Sequence, residues 1–325
     1  MVFFDKSDEC VYTDLVIKNQ RKKTVVNYPP PKDSGIPHTT TERILFMKRI
    51  VTVQDISCIG KCSLSAALPI ISAMGIETAV LPTAVLSAHT AFDGFTFRDL
   101  TEDIPKISDH WASERFTFDA IYTGYLGSIH QLELMSAFFD RFKTDKNFIL
   151  VDPAMADNGK MYSGFTDEFA AHMAKFCAKA DIIVPNMTET SFLLDVPYVK
   201  SGYDENYVRD LLKGLTGLGA KTAVITDVAF EPDTLGVMAY DTASDSYFCY
   251  SKPRIPKKCH GTGDIFASCL VGTLVSGHSL TDALQISVDY TVACIKRSLE
   301  DPDAVWYGVN FEAEIPYLLR RCGLI

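Results

Sequence analysis

The sequence predicts an α/β protein built around a mainly parallel central sheet with helices on both faces. Three observations predict it. From residue 49 onward, short β-rich apolar runs alternate with longer runs of helical spacing, the pattern that buries a parallel sheet between helical layers. Glycines such as Gly75 and Gly277 close the helical runs, where a left-handed backbone is commonly needed. Polar, glycine-containing stretches follow the strand runs, and open sheets of this kind bind ligands beyond the carboxyl ends of their strands.

Composition narrows the function. Hydrophobic residues make up 47% of the 325, enough for a substantial core. A formal net charge of −10 opposes nonspecific nucleic-acid binding, so no nucleic-acid partner is expected. An anionic substrate would need a local positive site. No run of about 18 apolar residues exists, so no membrane span is expected. The amino terminus carries Asp5, Asp8 and Glu9 and lacks a secretory pattern. Nine cysteines without a C-x-x-C pair fit a reduced, cytoplasmic setting better than a zinc site.

Residues 1–46 mix charges with Pro29-Pro30-Pro31 and Thr39-Thr40-Thr41 and keep no period. They read as a poorly ordered extension, with residues 47–325 as the folded domain. The alternative is a strand, Cys10 to Ile17, docked on the body. Within the domain, strands are expected at 49–54, 77–81, 120–123, 148–151, 182–184 and 222–226. An antiparallel pair is expected at 235–240 and 246–250, around the turn residues Asp241 to Asp245. Helices are expected at 60–74, 100–116, 129–142, 165–178, 188–194, 204–218, 261–275, 280–299 and 311–321, each from apolar residues at helical spacing.

Five stretches carry candidate chemistry. In Gly261-Thr262-Gly263-Asp264, two glycines flank a threonine where an apolar helix begins. The first turn of a helix leaves backbone N–H groups unpaired, and with the dipole these favour an anion. Glycine lets the backbone approach it closely. Asp264, inside that turn, is placed to take a proton from an attacking hydroxyl. The dipole is expected to keep it ionised with a low pKa. Cys259, beside this site, is a thiol whose pKa a helix N-terminus could lower; a packed, inert thiol is the plainer reading.

Asp152-Pro153 follows a strand at its ligand end. It suits Mg²⁺, which keeps several waters and takes few carboxylates, or a simple turn. Asn186-Met187-Thr188-Glu189 is a capping box by spacing, and also places Asn186 and Glu189 near phosphates and Mg²⁺. Thr83, Ser87, His89 and Thr90 punctuate a polar loop after the second strand. Tyr125 lies between Gly124 and Gly127 just past another strand, and could line a pocket. Gly60-Lys61-Cys62-Ser63 ends like a P-loop, but the required earlier glycine is Asp55, which excludes that reading.

Together these stretches resemble the ribokinase superfamily and, within it, the pyridoxal/pyridoxamine kinases. Gly261-Thr262-Gly263-Asp264 is similar to the superfamily's anion-hole and base motif, and Asn186-Met187-Thr188-Glu189 to its N-x-x-E motif. Thr123 to Ser128, Asp152-Pro153 and Leu86 to Thr90 are similar to pyridoxal kinase signatures. Related hydroxymethylpyrimidine kinases usually carry Cys where Asp264 stands. The resemblance covers residues 48–322 and implies a ribokinase-like fold. It implies ATP-dependent phosphorylation of the 5′-hydroxymethyl group of pyridoxal, pyridoxamine or pyridoxine. Asp264 would be the base, and Gly261, Thr262 and Gly263 would hold the transferring phosphoryl group. Asp152, Asn186, Glu189 and Thr226 would serve Mg·ATP, with Asp152 and Glu189 toward the metal. Thr83, Ser87, His89 and Tyr125 would contact the vitamer. The chain departs from the family where many members have a ring-contacting serine; it has Asp55, with Ser57 two residues on. The resemblance also leaves room for a monovalent cation and a homodimer. A hydroxymethylpyrimidine or other small-alcohol kinase is the alternative, and a non-catalytic pyridoxal phosphate carrier a further one.

Overall fold

The computed structural model describes residues 47–325 except Lys258. The expectation for residues 1–46 lies outside the described residues. Strand β1 (Arg49–Ser57) is an interior strand of a nine-stranded sheet, third from one edge. Its apolar residues alternate between two cores: Val51 and Val53 enter one, Ile50 the other. All three are fully buried, each contributing about 1.5–3 kcal/mol of burial.

Six strands are parallel. β2 (Glu77–Leu86) lies on one side of β1, and β4 (Ala120–Thr123) on the other. Beyond β4 come β5 (Phe148–Val151), β8 (Ile182–Ile183) and β9 (Thr222–Val228). β10 (Thr234–Asp241) and β11 (Ser246–Pro253) extend that edge antiparallel. Short β3 (Phe97–Asp99) closes the other edge against β2. The chain moves from β1 to β2 and then back across β1 to β4. Strand order therefore reverses around β1, and the crevice at its carboxyl end is where such sheets take ligands.

One face is covered by α2 (Ile104–Ser113), α3 (Ile129–Phe142), α4 (Asp167–Cys177), α5 (Met187–Leu193) and α6 (Glu205–Gly217). The other is covered by α1 (Leu64–Ala73), α7 (Thr262–Val275), α8 (Leu280–Glu300) and α9 (Phe311–Arg321). Helix α7 is buried almost all round, as its continuous apolar run requires.

Four local expectations are corrected. The helix placed at 60–74 begins only at Leu64, because Lys61 and Ser63 adopt left-handed φ values of 51° and 47°, which no helix accommodates. Strand β2 runs to Leu86 rather than ending at Leu81. Thr83 is therefore a strand residue, not a loop residue; a register slip between β1 and β2 lets the strand continue past Pro82. The helix placed at 100–116 is a 3₁₀ turn, Thr101–Asp103, followed by α2, with Pro105 in its first turn, where proline is tolerated. A two-stranded hairpin, β6 (Ala156–Asp157) with β7 (Lys160–Met161), had no periodic signal at two residues per strand. No helix among the described residues is long and apolar enough to cross a membrane. The eight described cysteines form no disulfide.

Candidate active site

The carboxyl ends of β1, β4, β5 and β9 and the starts of α5 and α7 converge on one edge of the sheet. Gly261 caps α7 with φ 75° and ψ 4°, a left-handed conformation open to glycine. A Cβ there would stand 2.2 Å from the Lys61 carbonyl oxygen, so the loop before α7 rests directly on the turn after β1. At Gly263 nothing beyond its chain neighbours and its own helix backbone lies within 4 Å of where a Cβ would be, so that side of the helix start is open to an anion.

Asp264 follows in the first turn. The expected low pKa is corrected: burial pushes it up to about 6, with Asp55 adding to the rise and the Ser63 backbone N–H opposing it. Desolvation outweighs the helix dipole here. At neutral pH the group is still mainly ionised, and its proton affinity lies nearer the value that favours base catalysis. For Cys259 the plainer reading, a packed thiol, is the one favoured. Burial raises its thiol pKa, with Lys257 only partly opposing, so the helix terminus does not activate it.

Asp152 follows β5, its N–H donating to the Thr123 carbonyl at 2.9 Å. Burial and then the Asp264 charge raise its pKa. Glu189, in the first turn of α5, is 3% exposed, and burial and Asp152 raise its pKa. Asp152 thus lies within electrostatic reach of both other carboxylates. Among the described residues neither Asp152 nor Asp264 forms an ion pair, and no three carboxylate, imidazole or thiol groups enclose a metal by themselves. Partly exposed oxygen donors without a cation partner fit Mg²⁺, a hard cation that takes phosphate and water as its remaining ligands.

Glu189 is already heavily engaged. Its Oε1 accepts from Met155 N–H (3.1 Å) and Ala156 N–H (3.5 Å), and its Oε2 from Asn186 N–H (2.8 Å). Asn186 Oδ1 accepts from Glu189 N–H at 2.8 Å, completing the capping box. Asn186 Nδ2 donates to the Ala156 carbonyl, and its backbone bridges Thr226 on β9. These two residues therefore tie α5, β9 and the β6–β7 hairpin together.

A second cluster lies after β1. Asp55 is 5% exposed. It accepts from Ser57 Oγ (2.8 Å) and from Ser63 Oγ (2.6 Å). The Asp55 charge reaches Asp264, Cys62, Tyr125 and His89. His89 Nδ1 accepts from Ala91 N–H, so its Nε2–H donates to the Tyr307 carbonyl at 3.1 Å; burial lowers its pKa. Its ring packs against Phe92, His260 and Trp306, holding three loops at the rim of the site. Ser87 lies apart from that cluster, its Oγ accepting from Thr96 N–H to pin the loop. Thr83 is 1% exposed, and its carbonyl accepts from Leu100 N–H and Gln131 Nε2.

Sequence reasoning missed Ser63 and Tyr162. Ser63 lies in a turn mistaken for helix, and only its left-handed backbone brings its Oγ to Asp55. Tyr162 follows the small hairpin and is 43% exposed, yet desolvation of its hydroxyl and the charges of Glu189, Asp157, Asp152 and Asp264 raise its pKa, which places the hydroxyl toward these carboxylates. Two grooves lie elsewhere, one near Thr222 and Ser279 and one between Leu194 and Gly214, and neither contains a predicted site residue.

A carboxylate in a helix's first turn, an open glycine loop beside it and uncompensated carboxylates at a sheet switch point suit the transfer of a phosphoryl group to a small molecule. Comparison with known proteins narrows this. Residues 62–304 match the phosphomethylpyrimidine kinase family model. A Bacteroides thetaiotaomicron protein assigned to the phosphomethylpyrimidine kinases and crystallised with pyridoxal is 37% identical, with TM-score 0.80 over 84% of this chain and 96% of that one. The pyridoxal kinase of Lactobacillus plantarum is 29% identical, with TM-score 0.77 over 84% and 97%. The chain is 23% identical over 256 residues to the chloroplastic thiamine biosynthetic bifunctional enzyme TH1 of Arabidopsis thaliana, covering 77% of this chain but only 47% of that protein. The chain belongs to the phosphomethylpyrimidine kinase family of the ribokinase superfamily, together with the pyridoxal kinases.

Proposed function

We propose that the chain is an ATP-dependent, cytoplasmic vitamin B6 kinase, phosphorylating the 5′-hydroxymethyl group of pyridoxal, pyridoxamine or pyridoxine. The carrying observation is Asp264: a carboxyl with a pKa of about 6 in the first turn of α7, next to the open glycine loop and facing the Asp55 pocket. The acceptor hydroxyl attacks the γ-phosphorus as the bond to the ADP oxygen breaks, and its proton passes to Asp264. The N–H groups of the Gly261–Gly263 loop meet the charge on the transferring group. Asp152 would hold Mg²⁺ with the nucleotide phosphates as further ligands; the ion would offset phosphate charge. Glu189 and Asn186 set the loop that faces it, and Thr226 lies at the nucleotide end.

A hydroxymethylpyrimidine kinase is the second reading, favoured by the family-model match. The Bacteroides relative's pyridoxal and the aspartate at position 264 support the B6 reading. An ATP-consumption assay across pyridoxal, pyridoxamine, pyridoxine, hydroxymethylpyrimidine and ribose tests it. Turnover of the vitamers is expected. Turnover of hydroxymethylpyrimidine alone would replace this reading with the second, and binding without turnover would point to a carrier.

A further inference from the structure

Asp55 is a buried carboxylate beside Asp264, linked to it through Ser63, that the phosphoryl-transfer chemistry above leaves without a task. Its position is built rather than incidental. The β1–β2 register slips at this point, between the pairs Gln54–Pro82 and Ile56–Val85, so that Thr83 and Ala84 together oppose Asp55. Ser63, strained at φ 47° and ψ −135°, leaves α1 without a side-chain cap and spends its hydroxyl on Asp55 instead. A left-handed backbone at a non-glycine residue persists only where its surroundings over-determine it.

Two hydroxyl donors do not balance a buried negative charge. Among the described residues no lysine or arginine pairs with Asp55. The near cation, Lys61, is committed elsewhere: its Nζ lies 2.8 Å from Glu312 and over the Phe311 ring. Each Asp55 oxygen accepts a hydrogen bond from one serine and so keeps acceptor capacity. The other titratable groups facing it are Asp264 from α7, Cys62 from the turn after β1, Tyr125 from the end of β4 and His89 from the β2–β3 loop. None of the four supplies a fixed positive charge.

Building on the kinase reading, we infer that Asp55 is a specificity-determining residue that accepts a hydrogen bond from a protonated nitrogen of the acceptor alcohol. The substrate class is then an alcohol carrying a cationic nitrogen, and the pocket discriminates against neutral alcohols of the same shape. A protonated ring nitrogen or an aminomethyl ammonium would satisfy it.

The test compares pyridoxamine, pyridoxine and hydroxymethylpyrimidine at pH 8, where the pyrimidine is uncharged, with the full chain and its Asp55→Asn and Asp55→Ser variants. Losing a charge-assisted hydrogen bond is expected to lower kcat/KM about 10- to 100-fold, carried mainly by KM, with the KM for Mg·ATP unchanged. A loss shared by pyridoxamine and pyridoxine but not by the pyrimidine assigns the ring nitrogen. A loss confined to pyridoxamine assigns the aminomethyl group. Either supports the inference. An equal loss on all three acceptors, or none, overturns it. Melting curves separate a folding defect from lost recognition, and Asp55→Ser, which keeps a polar partner for Ser63, must show the same ranking. If the parent phosphorylates none of the vitamers, the kinase reading falls and takes the inference with it. If the parent is active and the ranking does not change, only the Asp55 assignment falls.

Discussion

The two edges of the sheet use the same side chain for opposite ends. At the amino edge, Asp181 sits between Lys143 and Lys221 and accepts from Ile149 N–H at 2.8 Å. Those partners hold its pKa below the usual carboxylate range despite its burial. Asp119, before β4, is also paired, accepting from Arg49 N–H and from Lys48. At the carboxyl edge, Asp152 and Asp264 have no cation partner among the described residues, and burial raises both. One edge neutralises its acids and pins strand starts. The other leaves them uncompensated, which costs stability but suits proton uptake and cation binding. Glu189 is intermediate: it belongs to the reactive edge, yet its oxygens are held by backbone N–H groups as at the quiet one.

Substitution should separate the edges. The largest effect is expected for Asp264→Asn, with vitamer turnover falling about 10²- to 10⁴-fold and the melting temperature unchanged or higher. Steady-state kinetics with a melt on the same variant checks this; turnover within a few-fold of the parent would remove Asp264 as base. Asp181→Asn should do the reverse. It should cost about 1.5–3 kcal/mol for lost hydrogen bonds to a charged group, read by urea unfolding, with turnover within twofold. Glu189→Gln should fall between. An amide cannot accept on both sides, so either the Asn186 N–H or the Met155 and Ala156 N–H groups lose their partner, at a cost of about 1–3 kcal/mol. A melt unchanged from the parent would show that these hydrogen bonds to the carboxylate add nothing to stability.

The smallest effect is on pH dependence, and its sign differs between edges. Asp264 is raised from 3.8 to about 6, so the folded chain holds this proton more tightly than the unfolded chain. Its contribution to stability is full below pH 3.8 and lost as pH rises through 6. Asp181 is lowered, so its contribution is present above the usual 3.8 and lost as pH falls through its folded value. The activity profile should show kcat/KM for vitamers falling on the acid side with a midpoint near 6, and Asp181→Asn should leave that midpoint in place. A midpoint below 5 would sink the assignment of the limb to Asp264.

Much of this was legible in the chain. The strands Ala120–Thr123 and Phe148–Val151 and the helices Ile129–Phe142 and Phe311–Arg321 were placed to the residue, because each is bounded by polar, glycine or proline signals and carries one period. Gly261 to Asp264 and Asn186 to Glu189 were legible because cap chemistry is local. The turn at 60–63 was not, since its apolar neighbours continue the helical period while tertiary contact with Gly261 holds Lys61 and Ser63 left-handed. The Asp264 pKa was not legible either. The dipole belongs to its own helix, but the desolvation comes from strands far away in sequence.

That distance has a consequence for the order in which the protein is made. Asp55, Ser63, His89 and Tyr125 are translated early, and Asp152 and Asn186 follow. Helix α7, which packs on α1 and brings Asp264 to the Lys61 turn, is translated about 200 residues after β1. A nascent chain on the ribosome therefore carries Asp55 and Ser63 long before the contact that sets their turn. The Asp55 cluster and the Asp264 carboxylate are completed together when α7 emerges and docks.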